Sequence, residues 1–183
     1  MKAKTHLLLR LTVLWSLISA ASLPGFTNAA ETGPAPRKVK AFALKDQYDA
    51  PHMISFPGTN VLVMTVADRN GSEQVEGWIA PLKKRYAGRI DIMGIADLGK
   101  VPRPLRGLVQ SKFKQQHVHP VMLDWSGEVA GSFGYAKNEV SLFVIHRDGT
   151  ELLHLSGATS EEKLKQVFTV LDRVQPLPPP REK

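Results

Sequence analysis

The order of apolar runs along the chain predicts an α/β domain. Three observations carry this. A continuous apolar run rich in β-branched residues at 61–66 and a second strand-like run at 90–95 are each followed by apolar residues at helical spacing, and an Asp-Gly hairpin signal precedes a last amphipathic helix. Val61 to Val66 has the composition of a strand buried on both faces, which places it centrally in a sheet. After Asp68-Arg69-Asn70-Gly71, the residues Val75, Trp78, Ile79, Leu82 and Tyr86 describe one helical face. Pro81 within that stretch predicts a kink or a break, because proline removes a helical N–H. Ile90 to Ile95 is a second strand, and Leu105, Leu108, Val109 and Phe113 mark a second helix face.

The C-terminal half reads differently. Pro120 to Leu123 is a short strand, and Asp124-Trp125-Ser126-Gly127 turns it into a further strand at Glu128 to Phe133. Val140 to His146 and Thr150 to Leu155 flank Asp148-Gly149, a type I′ hairpin signal, so these two strands are expected to be antiparallel. Thr159 followed by Glu162 has capping-box spacing, and Leu164, Val167, Phe168 and Leu171 form the apolar stripe of a final helix. No internal repeat occurs.

The ends of the 183-residue chain are set apart from this single domain. Lys2, Lys4 and Arg10 precede an apolar stretch from Leu11 to Leu23, and Thr27-Asn28-Ala29 supplies small residues before a cut. Residues 1–29 therefore read as a signal peptide, and export predicts a periplasmic or secreted protein. The apolar stretch is shorter than the roughly 20 residues of a spanning helix, so no stable membrane span is expected after cleavage, an uncleaved signal anchor being the alternative. Residues 30–38 read as a linker, 39–174 as the domain and 175–183 as a proline-rich flexible tail. Loss of the signal lowers the basic residues from 24 to 21 against 17 acidic ones, so the formal charge falls from +7 to +4. Lys83-Lys84-Arg85 suits the C-terminal end of its helix, and no nucleic-acid partner is expected. The chain has no cysteine, which excludes disulfides, thiolate metal sites, CxxC redox chemistry, thiol nucleophiles and a lipoprotein anchor.

Several segments resemble the thioredoxin-like superfamily. Val61-Leu62-Val63 resembles its first central strand, and Gly77-Trp78-Ile79-Ala80-Pro81-Leu82 resembles the helix after its active site. Val140 to Gly149 is similar to its C-terminal hairpin, and Ser156 to Glu162 to the approach to its last helix. His119 to Asp124, continuing to Tyr135, is similar to the segment that peroxiredoxin-like redoxins insert. The resemblance implies a three-layer α/β/α sandwich around a mixed sheet. It also implies that the family's cysteine positions fall at Glu73 and Glu76, and that its cis-proline falls near Val140. The arginine that peroxiredoxins use has no counterpart between Tyr135 and Phe143. A redox-dead scaffold follows, neither a thiol-dependent peroxidase nor a disulfide oxidoreductase. Exported YtfJ-like proteins, with a polar Arg-containing turn in place of the cysteines, are the family it most resembles.

The candidate site is the turn Asp68, Arg69, Asn70, Gly71, Ser72, Glu73 and Glu76, which leads from a central strand to a helix N-terminus, where open α/β sheets bind ligands. An envelope protein, a peptide or a small anion could be held there. The competing reading is structural: Asn70 or Ser72 caps the helix, and Glu73 and Glu76 complement its dipole. The expected function is a non-catalytic binding or interaction module without cofactor. The alternative is a cysteine-independent enzyme or metal-binding protein using Glu73, Glu76 or a histidine. Among the histidines, His117 and His119 share a side if extended, whereas His146, facing Glu151 across the hairpin, leaves His154 on the opposite face. Four ligands for a closed zinc site are not apparent, and no metal is expected. Intact mass of the protein recovered from its own cells is expected to correspond to a chain starting at Ala30; a mass including Met1 would show an uncleaved segment. Removal of residues 176–183 is expected to leave the midpoint of thermal unfolding unchanged.

Overall fold

The computed structural model describes residues 37–175; the expected signal peptide, most of the expected linker and all but the first residue of the expected tail lie outside the described residues. A hairpin of β1 (Phe42–Lys45) and β2 (Pro51–Ile54) leads into the central strand β3 (Leu62–Ala67). Helix α1 (Val75–Tyr86), strand β4 (Asp91–Asp97) and helix α2 (Arg106–Gln116) follow. Then come β5 (Met122–Asp124), the short helix α3 (Glu128–Ser132), β6 (Ser141–Ile145), β7 (Glu151–Ser156) and α4 (Glu161–Val174). The sheet order is β5-β4-β3-β6-β7, with β3, β4 and β5 parallel and β6 antiparallel to both β3 and β7.

Every residue of β3 is buried, as its uninterrupted apolar run predicts, and its two faces feed two cores. On one face Val61 and Val63 meet Trp78, Leu82 and Tyr86 of α1 and Val167 and Leu171 of α4. On the other, Leu62, Met64 and Val66 meet Ile54 of the hairpin together with Ala130, Phe133 and Tyr135. Trp78 has no exposed surface, and its indole N–H donates to the Gly157 carbonyl at 3.0 Å, fixing α1 to the entry of α4. The layer on the second face is thus built from a β-hairpin and the α3 segment, while α2 contributes no buried residue. Leu105 and Leu108 are 49% and 59% exposed. Polar contacts hold α2 instead: Gln110 Nε2 donates to the Gln47 carbonyl at 3.0 Å, and Arg106 lies over the Trp125 ring.

Local departures from the sequence reading have identifiable causes. Glu128–Ser132 is helical rather than a strand, because Asp124 accepts the N–H groups of Gly127 at 2.9 Å and Ala130 at 2.8 Å, and Gly127 adopts φ +73°. Ala130 and Phe133, three apart, enter the same core, as a helical turn allows and a strand, whose side chains alternate, does not. The α4 cap is Ser160, which accepts from Lys163 N at 3.3 Å; the half-buried Thr159 instead lies against Gly77, its buried hydroxyl oxygen without a partner among the described residues. In the β6–β7 turn only Gly149 has positive φ, so the type I′ geometry is not formed. His146 N donates to the Thr150 carbonyl, and Glu151 faces Ile145 rather than His146. Helix α1 runs through Pro81 without a break.

Leu82→Ala is expected to lower the unfolding free energy by about 2–5 kcal/mol, since it opens a cavity at a fully buried site between α1 and the sheet. Urea titration measures this, and a loss below about 1 kcal/mol would mean that the site relaxes around the missing atoms.

Candidate functional site

The chain leaves the fully buried β3 at Asp68, and this carboxylate organises the turn. Oδ1 accepts from Asn70 N at 3.0 Å and Gly71 N at 3.1 Å, and Oδ2 from Asn138 N at 2.9 Å. Partial burial works to raise its pKa, but these three N–H groups, with Lys100 nearby, outweigh it and hold the carboxyl below the usual range. The turn is locked against the loop before β6. A Cβ at Gly71 would stand 2.3 Å from the Glu139 carbonyl carbon and 2.7 Å from Val140 N, so only glycine fits. Asn70 Nδ2 donates to Asn138 Oδ1 at 2.7 Å, Ser72 Oγ to the Arg69 carbonyl at 2.7 Å, and Val140 N to Gln74 Oε1 at 3.4 Å.

Neither Asn70 nor Ser72 supplies a side-chain cap: the short 3-10 turn Ser72–Gln74 and the helix that continues it start without one. Asp68 binds the N–H groups of Asn70 and Gly71, which precede that 3-10 turn. Arg69, Asn70, Ser72 and Glu73 are exposed. Glu76 departs from this group. It lies on α1 at the wall of a cleft of about 530 Å³ beside β4, which Glu73 does not reach.

The same device recurs at the ends of the two neighbouring strands. Asp97 accepts from Gly99 N at 3.0 Å and from the Tyr135 hydroxyl at 2.5 Å, and burial followed by this carboxylate pushes the phenol well above its ordinary pKa. Asp124, fully buried, accepts from the N–H groups of Ser126, Gly127 and Ala130. Sequence reasoning passed over this series. A usable signal was present, since Asp68, Asp97 and Asp124 each follow a strand run and each precede a glycine by two or three residues.

The histidines divide into separate groups. His52 Nε2 meets the buried Asp46 at 2.8 Å, and His52, His117 and His119 line the cleft that holds Glu76. Gln47, also buried, fixes the far wall: Nε2 donates to the carbonyls of His117 and His119 at 3.2 and 2.9 Å, and Oε1 accepts from Val121 N at 2.8 Å. His146 pairs with Asp148, and His154 stacks on Phe143 with centroids 4.2 Å apart. Among the described residues no three His, Asp or Glu side chains converge as a metal site requires.

This architecture is that of thioredoxin-like proteins. The thiol:disulfide interchange protein DsbE from Chlorobium tepidum is 19% identical with a TM-score of 0.58, the alignment covering 74% of this chain and 96% of that one. The exposed lipoprotein thioredoxin Etrx1 from Streptococcus pneumoniae gives 13% and 0.57, covering 70% and 98%. Peroxidoxin BcpB from Mycobacterium tuberculosis gives 22% and 0.55, covering 76% and 96%. No protein-family model and no curated protein matches the chain. The chain is therefore a thioredoxin-fold protein without cysteine, and thiol chemistry has no residue to carry it.

Asp68→Ala strips three N–H groups of their acceptor and is expected to cost about 2–3 kcal/mol by chemical denaturation. Because the folded pKa of Asp68 is depressed, its contribution is fully present above the unfolded value near 3.9 and is lost as pH falls through the folded value. Asp68→Asn is therefore expected to flatten the acid limb of the stability curve, and an unchanged limb would assign acid sensitivity elsewhere.

Proposed function

We propose that this is an exported, non-catalytic binding module of the cell envelope, which uses the Asp68–Glu76 turn to contact a protein or peptide partner. One observation carries the reading. The turn at the end of the central strand is built as a rigid feature, with Asp68 bonded to three N–H groups and Gly71 packed on the Glu139–Val140 backbone. Its internal hydrogen bonds use the atoms that hold its shape and leave the Arg69 guanidinium and the Glu73 carboxylate facing outward. Neither makes an ion pair among the described residues. A preformed surface of this kind loses little conformational freedom on binding, which favours recognition. The basic start and apolar run of residues 1–23 support export.

A photoreactive amino acid placed at 69 or 73 is expected to yield a discrete adduct in intact cells, while the same probe at Lys165, exposed on α4, does not. Arg69→Ala is expected to reduce the adduct formed from position 73 several-fold while changing stability by no more than about 0.5 kcal/mol, as at other exposed positions. Equal labelling at all three positions, or none at 69 and 73, would remove the turn as a contact surface.

A further inference from the structure

We propose that the cleft beside α1 binds a small organic anion with an apolar body, such as an aromatic or branched-chain carboxylate. The cleft is distinct from the turn proposed to meet a partner, sharing only Glu76 with it, and stands or falls separately. Its volume of about 530 Å³ lies within the range of small-molecule sites, roughly 300–1,000 Å³.

Two features of the floor point to a ligand. Gly94 sits in the interior of β4, opposite Thr65, where glycine weakens a strand. A Cβ there would lie 3.4 Å from Thr65 Oγ1 and 3.9 Å from Val121 Cγ1, so any side chain would begin to fill the space. Thr65 is 2% exposed and lines the cleft, so its hydroxyl borders the space that a ligand would occupy.

The walls set the chemistry. Glu76, Ile79 and Lys83 recur at helical spacing along α1, with Glu76 and Lys83 about 10 Å apart along the axis, so the Lys83 end is cationic. Lys83 pairs with no carboxylate among the described residues. Ile79 and Ile92 give the cleft its apolar surface, and the facing wall is held by Gln47. Lys83 is a donor-only group and Glu76 an acceptor-only one, while the Thr65 hydroxyl and the His117 and His119 imidazoles can donate or accept. An anionic head at the Lys83 end with an apolar body over Ile79 and Ile92 matches this lining.

Titration of the ¹⁵N-labelled protein with benzoate and 3-phenylpropionate tests this. Saturable shifts are expected at the amides of Thr65, Gly94 and Val121, with benzylamine binding at least tenfold more weakly. Lys83→Met, at an exposed position, is expected to weaken the carboxylates about tenfold, the scale of one charge-assisted contact. Gly94→Val is expected to abolish the shifts in a folded protein; should it unfold, Thr65→Val and Lys83→Met carry the test. Shifts elsewhere, equal affinity for benzylamine, or affinity unchanged in these variants would overturn the proposal. Turn crosslinking is expected to persist in Lys83→Met, which separates failure of the cleft from failure of the turn.

Discussion

At the C-terminal end of each parallel strand a carboxylate accepts the N–H groups of the turn that follows. Asp68, Asp97 and Asp124 do this for β3, β4 and β5, and the rest of the molecule's upper edge depends on it. Strands buried on both faces must release their chains into turns whose donors have left the ladder, and an unpaired buried donor costs about 1–3 kcal/mol. An aspartate at the last position of the strand, or one residue past it, meets that demand locally. Asp68 and Asp97 also reach across sequence, to Asn138 and Tyr135, so the strand ends are tied to the loop before β6.

This arrangement explains how the fold keeps its form where the chemistry of related folds would require reactive sulfur. Here the turn consumes its own polar atoms: Asn70 meets Asn138, Ser72 meets Arg69, and Gln74 meets Val140. The Glu139–Val140 backbone presses on Gly71 so closely that no side chain could stand between them. What remains available is shape and outward charge, while the open space lies to one side, between α1, β4 and the 117–121 loop.

The parts of the fold written in hydrophobic periodicity were legible in the sequence. Val61 to Val66 announced the central strand, and Trp78, Leu82 and Tyr86 announced the face of α1, because burial on both sides and helical spacing each leave a direct pattern. The β1–β2 hairpin was not legible: Phe42, Leu44 and Ile54 are too few, and its turn at Asp46–Ala50 is held by side-chain bonds that no periodicity reports. Glu128–Ser132 misled because short apolar alternation suits two geometries, and a carboxylate four residues earlier chose between them. Of the candidate residues, Asp68, Asn70, Gly71 and Ser72 come together in one turn, whereas Glu76 belongs to a cleft assembled from α1, β4 and the 117–121 loop. That assembly is tertiary, and sequence spacing does not encode it.

Gln47 gives the molecule a property that its topology alone would not. It stands in a hairpin turn outside the five-stranded sheet, yet its buried amide holds two carbonyls and one N–H of the loop between α2 and β5. Detaching the hairpin would leave those three backbone groups bare at the same moment, so the two segments open as one cooperative unit although some 70 residues of chain separate them. Protection of the Val121 amide from hydrogen exchange is therefore expected to depend on the hairpin as much as on the loop.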